Sequence, residues 1–180
     1  EEEPTTTVSG RWELVTDAST LAIGDKVVIA AAKSNVALST TQKDNNRGQA
    51  AITKNNDNTI SFSTDDVQVL TLETGTVDNT FAFYTGNGYL YAASSSSNHL
   101  KTQNINNNNS SWKITITDGT ASIVAQGTYT RNTMQYNQPS SLFACYGSAS
   151  QNAICLYRKT NVKVNNNQNT DDIQNFSDIT

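Results

Sequence analysis

The chain has 180 residues, 36% of them apolar and 16% charged, with a formal net charge of −4 and a pI near 4.8. That length suits one domain with a single core, and the composition excludes a highly charged disordered chain. No apolar run approaches the roughly 18 residues that span a bilayer, so no membrane insertion is expected of this region, and the twelve Lys and Arg are scattered rather than gathered into a phosphate-tracking face, which argues against nucleic acid.

Glu1-Glu2-Glu3-Pro4-Thr5-Thr6-Thr7 opens the sequence in place of an apolar leader, as expected of a mature exported chain, and residues 1–10 read as a solvated linker. From there to residue 160 there is no helical periodicity. Short β-branched and aromatic runs follow one another instead, bounded by Gly, Asn, Asp and Ser. In chain order they are Trp12–Val15, Lys26–Ala31, Val36–Thr40, Gln49–Thr53, Thr59–Phe62, Val67–Leu72, Thr80–Tyr84, Tyr89–Ala92, His99–Thr102, Trp112–Thr117, Ala121–Ala125, Thr133–Tyr136, Leu142–Tyr146 and Ile154–Tyr157. Residues 161–180 are polar and Asn-rich, with little to bury, and read as a tail or linker.

The runs repeat. A strand–turn–strand phrase occurs at Trp12–Ala31, Val69–Tyr84 and Trp112–Gln126, with a half-phrase at Ile154–Tyr157. Between the phrases lies a second shared element, at Asn35–Thr40, at Gly88–Thr102 and at Asn132–Tyr146. Each unit thus holds about four strands in roughly 40 residues. Three four-stranded units predict an all-β, β-trefoil-like closed barrel, with another β-barrel or a β-sandwich as the alternative. Two features fit poorly: the first unit carries extra chain over Arg47–Phe62, and either Trp12–Val15 or Ile154–Tyr157 is needed to close the barrel, but not both. Equivalent positions predict a core of Ile29, Leu38, Val69, Phe83, Leu90, Trp112, Ile123, Met134 and Ile154.

Little in the chain suggests catalysis. His99, the only histidine, stands at an expected solvated turn with no evident base-and-acid partnership. Most acids fall in turns, where Asp bonds local amides. Asp65-Asp66 lies in no calcium loop, and Cys145 and Cys155 lack Cys-x-x-Cys spacing. No catalytic residue, metal or cofactor is expected. The two cysteines are expected on neighbouring strands joined by Gly147–Asn152, with Cys155 pointing outward. If Phe143 is core, Cys145 is buried and both stay reduced; if Leu142 and Tyr146 face inward instead, Cys145 also points out and a bridge becomes feasible.

A binding role rests on tyrosines near amides, since a half-wet aromatic face beside amide groups suits sugar stacking. The richest local set is Tyr129, Arg131, Asn132, Tyr136 and Asn137. Alternation buries about half of these tyrosines, so the same residues read first as strand and turn structure.

Gly88-Tyr89-Leu90-Tyr91 through Trp112-Lys113-Ile114-Thr115, with Arg131-Asn132 and Tyr136-Asn137, and Leu142-Phe143-Ala144-Cys145-Tyr146 through Ile154-Cys155-Leu156-Tyr157-Arg158, resembles a module recurring in exported multidomain proteins of anaerobic gut bacteria. The resemblance covers about Trp12–Lys159. It implies export, secreted or at the cell surface with a lipoprotein anchor as one route, and an accessory role, and it transfers no catalytic residue. The layout also looks like ricin-type trefoil lectins, but the Gln-x-Trp phrase of those lectins is missing, since Ser110-Ser111 precede Trp112. The expected function is a non-catalytic binding or adhesion module for a glycan or protein ligand, monomeric as an isolated domain. The alternatives are a purely structural or protein-interaction domain, or an accessory domain of a secreted hydrolase.

Overall fold

The computed structural model describes residues 5–165, with side chains over residues 10–161. The strands are β1 (Thr5–Leu14), β2 (Lys26–Ala31), β3 (Val36–Gln42), β4 (Arg47–Ala51), β5 (Thr53–Lys54), β6 (Thr59–Ser61), β7 (Leu70–Thr74), β8 (Phe81–Tyr84), β9 (Tyr89–Tyr91), β10 (Lys101–Gln103), β11 (Trp112–Thr117), β12 (Thr120–Ala125), β13 (Thr133–Asn137), β14 (Leu142–Tyr146) and β15 (Ile154–Asn165). Every expected run contains a strand. Turn chemistry sets several ends. Thr117 pairs with Thr120 across Asp118-Gly119, both with positive φ (51° and 77°), the two-residue hairpin that matches strand twist.

Six strands close on themselves. β2 pairs β7 (Val27 opposite Leu70), β7 pairs β8 (Leu72 opposite Phe83), and β8 pairs β11 (Phe81 opposite Trp112). β11 pairs β12 (Ile114 opposite Ile123), β12 pairs β15 (Ala121 opposite Ile154), and β15 pairs β2 (Leu156 opposite Ile29). The remaining strands of each unit form hairpins, β3–β4, β9–β10 and β13–β14. These hairpins are tied in a triangle. Leu100 N donates to Asn45 O, Cys145 N donates to His99 O, and β14 pairs β4. Six barrel strands and a triangle of three hairpins, built from three units of four strands, make a β-trefoil. Ile154–Tyr157, not Trp12–Val15, closes the barrel.

The core joins barrel and hairpins. Ile29, Leu38, Phe83, Leu90, Trp112, Ile123, Met134 and Ile154 are all buried in it. Val69 is the exception. It is half-buried against a second cluster, and Leu70, one residue on and so on the opposite face, takes the barrel position. Trp112 anchors the core: its ring lies 6.1 Å from that of Phe83, and its indole N–H donates to Leu90 O at 3.1 Å.

The extra chain forms a sheet outside the barrel. β15 runs past the barrel and pairs β1, β1 pairs β6, and β6 pairs β5. Beneath it sits the second cluster, with Val28, Ala30, Ala37, Ile52, Ile60, Cys155 and Tyr157 buried. The paired strands thus take in Thr5–Gly10 and Asn161–Asn165, placed beyond the expected domain limits. The rest of the two flanking segments, 1–4 and 166–180, lies outside the described residues.

Both cysteines are free and buried. Phe143 is core, so Cys145 faces the barrel interior, while Cys155 turns away from it into the second cluster, its thiol 3.7 Å from Ala30 O. The strands carrying them do not pair as expected. β14 lies between β13 and β4, and β15 is taken up by β12, β2 and β1.

Candidate functional site

The five residues singled out from the sequence separate into three places. Tyr129, Arg131 and Asn132 lie on the connection between β12 and β13. Tyr136 is in mid-β13, and Asn137 ends that strand.

The β12–β13 connection is held at nearly every residue. Gln126 N donates to Ser111 O (2.9 Å), Tyr129 N to Asn109 Oδ1 (3.4 Å), Thr130 N to Ser95 Oγ (3.0 Å) and Arg131 N to Ser94 O (3.2 Å). The Arg131 guanidinium donates to Asn98 Oδ1 at 2.9 Å, and Asn132 Nδ2 donates back to Ala125 O at 3.3 Å. Gly127 lies against Asn109 so closely that a Cβ would meet the Asn109 amide and backbone nitrogen. On this pinned loop the Tyr129 side chain stands 38% exposed, one of few large apolar groups left in water.

Tyr136 is different. Only 3% exposed, its ring packs 5.0 Å from Phe143 and its hydroxyl donates to Gln49 Oε1 at 2.6 Å. Burial raises its pKa above the ordinary tyrosine value. It offers no face to a ligand. Asn137 fastens its own turn, donating to the Tyr146 hydroxyl (3.1 Å) and accepting from Ser140 N (3.2 Å). Neither residue joins Tyr129.

What adjoins the Tyr129 loop is an open polar groove lined by Thr76, Asn106, Asn107, Asn108, Asn109 and Thr128. Asn107 caps a single 3-10 turn, Asn108–Ser110, accepting from Asn109 N while Ser110 Oγ accepts from Asn107 N. Asn106 donates to Thr74 O, and the Thr76 hydroxyl donates to Asn108 Oδ1 at 2.7 Å. The side-chain oxygens of Asn106 through Asn109 are thereby committed to the loop. The Nδ2 donors of Asn107, Asn108 and Asn109 have no partner among the described residues. Thr128 brings the Tyr129 loop to the groove's rim, and an exposed aromatic ring near amide donors is the kind of surface that can hold a hydroxylated ligand.

A second cleft was not legible from sequence. Arg47, at the start of β4, is 97% inside the protein, being only 3% exposed, and lines a depression of about 290 Å³ together with Thr40, Gln42, Gln68, Thr85 and Thr102. His99, expected at a solvated turn, is half-buried, and its buried Nδ1 has no partner among the described residues. Burial, helped by nearby Lys101, lowers its pKa.

Solved structures share this architecture at low identity. A β-trefoil named BEL matches 81% of this chain and all of its own, with a TM-score of 0.58 and 15% identity. Polyporus squamosus lectin, bound to the epitope Neu5Acα2-6Galβ1-4GlcNAc, is matched over 81% of this chain and 51% of the lectin, at 0.54 and 13%. The GlcNAcα1-4Gal-releasing endo-β-galactosidase of Clostridium perfringens is matched over 74% of this chain and 32% of the enzyme, at 0.55 and 11%. The chain therefore spans about half of that lectin and a third of that enzyme. Such identities establish the fold alone. No protein-family model matches the sequence, and no curated protein matches it.

Proposed function

We propose that this chain is a non-catalytic glycan-binding or adhesion module that works outside the cell, as part of a larger exported protein, with Tyr129 as the stacking residue of its site. The observation that carries the reading is the exposed Tyr129 ring on a loop pinned by five neighbouring contacts, next to Thr128, which lines the groove with Asn107, Asn108 and Asn109. A rigid aromatic face loses little conformational freedom on binding, so weak stacking suffices. Arg131 and Asn132 are assigned to position that loop. Tyr136 and Asn137 keep only structural roles in this reading. Two of the matched structures are, by name, a lectin and an endo-β-galactosidase, which supports a sugar as ligand class. The resemblance to exported gut-bacterial modules supports secretion or surface display. The chain is acidic overall, with no basic stripe, which supports the expectation that DNA is not a ligand.

The test is a glycan array probed with the intact protein and with Tyr129→Ala. Hits that disappear in the variant are expected. An empty array, or hits unchanged in Tyr129→Ala, refutes the site.

A further inference from the structure

Arg47 is a buried cation without a counter-charge. Among the described residues it forms no ion pair, although Arg11 and Arg158 both do. Its Nη2 is anchored deep, donating to Gln68 Oε1 (2.7 Å) and Ser39 O (2.9 Å), both buried bonds. Its Nη1 is held more loosely, by Gln42 Oε1 at 3.3 Å and Thr102 Oγ1 at 3.1 Å, on the cleft side. Nε has no partner among the described residues. A buried charge held only by neutral acceptors is costly. Loss of water pulls the Arg47 pKa down to about 10. An anion in the cleft would remove that penalty.

We propose that this cleft binds the carboxylate of an acidic sugar, a hexuronate, with Arg47 as its counter-ion. Nη1 exchanges its long bond to Gln42 for a charge-assisted bond to one carboxylate oxygen, and such bonds are roughly twice as strong as neutral ones. Thr102 Oγ1, which now donates to Gln42 Oε1 at 3.1 Å, is freed to donate to the other oxygen. Beyond the carboxylate, the remaining walls are hydroxyls and amides (Thr40, Thr85 and Asn87), which suit a hydroxylated ring better than an alkyl chain. Selecting a sugar as the carrier rests on the glycan-binding reading. The carboxylate itself rests on Arg47 alone.

The experiment follows the Arg47 side-chain Nε–Hε resonance in the 15N-labelled intact protein, assigned by its absence in Arg47→Lys, while sodium glucuronate, glucose, acetate and inorganic phosphate are titrated separately. Glucuronate is expected to shift the resonance saturably, with acetate weaker and glucose and phosphate silent. Thr102→Val, which keeps Arg47 anchored through Nη2 to Gln68 and Ser39 but removes the second donor to the carboxylate, is expected to weaken glucuronate by about tenfold, the worth of one hydrogen bond to a charged group. Equal responses to acetate and glucuronate overturn the sugar, and an equal response to phosphate overturns the carboxylate. A resonance silent to all four overturns the site. A positive glycan array beside a silent Arg47 refutes this cleft alone, and a responsive Arg47 beside an empty array refutes the Tyr129 groove alone.

Discussion

Trp112→Ala tests the threefold assignment at its most heavily packed point. The indole is fully buried, lies 6.1 Å from the Phe83 ring and donates to the Leu90 carbonyl, so one side chain links a β11 strand, a β8 strand and a capping hairpin. Truncation removes the transfer energy, opens a cavity and leaves the Leu90 carbonyl unpaired. The expected loss is about 3–5 kcal/mol. Against a typical total of about 5–15 kcal/mol that is at least about a fifth of the stability. In urea, at an m-value of about 2 kcal/mol/M, the midpoint should drop by about 2 M with m unchanged. Trp112→Phe keeps most of the contact with Phe83 but not the donor, and should fall between, at about 1–3 kcal/mol. A midpoint shift under about 0.5 M for Trp112→Ala would refute the core assignment and the repeat equivalence built on it.

Gly127→Ala places a Cβ against the Asn109 amide and 2.8 Å from its backbone nitrogen, so it should cost about 1–3 kcal/mol in urea unfolding and weaken any glycan hits that depend on Tyr129. Stability at wild-type unchanged would show that the loop yields easily. The folded pKa of His99 is lowered, so the unfolded chain takes up the proton first and stability falls as pH drops below about 6.5. His99→Gln, which removes the only histidine, should flatten the pH dependence of the melting temperature between pH 7.5 and 5.5, and an unchanged slope would contradict the buried Nδ1. The thiol count without reductant should be two on denaturation, with both thiols slow to react in the native protein because burial raises each pKa. A denatured count of zero would establish a bridge and overturn the divergent facing of Cys145 and Cys155.

Strand positions and the threefold repeat were legible in the sequence because alternation and turn residues are local signals. The Asp118-Gly119 turn and the equivalent trio Ile29, Phe83 and Ile123 depend only on neighbours a few residues away. Val69 was misplaced because two adjacent apolar residues, Val69 and Leu70, leave the frame of alternation open until both sides of the strand are known to be covered. The candidate site was less legible. Tyr129 and Tyr136 carry the same chemistry, and only the tertiary position of Phe143 and Gln49 separates an exposed ring from a core one. Arg47 sits in the turn-like segment Asp44-Asn45-Asn46-Arg47-Gly48, which looks like solvated chain. Its burial depends on Gln68 and Thr102, distant in sequence, and no periodicity reports that.

The outer sheet explains a pattern that a trefoil alone does not require. In β2, Val27 through Ala31 are all buried, and in β15 so are Ile154 through Tyr157. A barrel strand with one face in water should alternate, and continuous burial means cover on both sides. The inward residues Val27, Ile29, Leu156 and Ile154 belong to the barrel core, whereas Val28, Ala30, Cys155 and Tyr157 face the second cluster under β1, β6 and β5. Arg47–Ala51 is the repeat strand β4, but the rest of that expansion, through β5 and β6, and the Trp12–Val15 strand fit no position in the threefold repeat and are two parts of one device, joined where Trp12 pairs with Ile60. Trp12 and Phe62, with rings 5.6 Å apart, sit at the edge of that cluster. The departure from threefold symmetry is thus concentrated on one flank of the barrel, while the Tyr129 groove is built from the second and third units, away from the added strands. The Arg47 cleft falls between first-unit and second-unit residues, where Gln42 and Gln68 meet Thr102. Each candidate site draws on two adjacent units, so neither could exist in a single repeat.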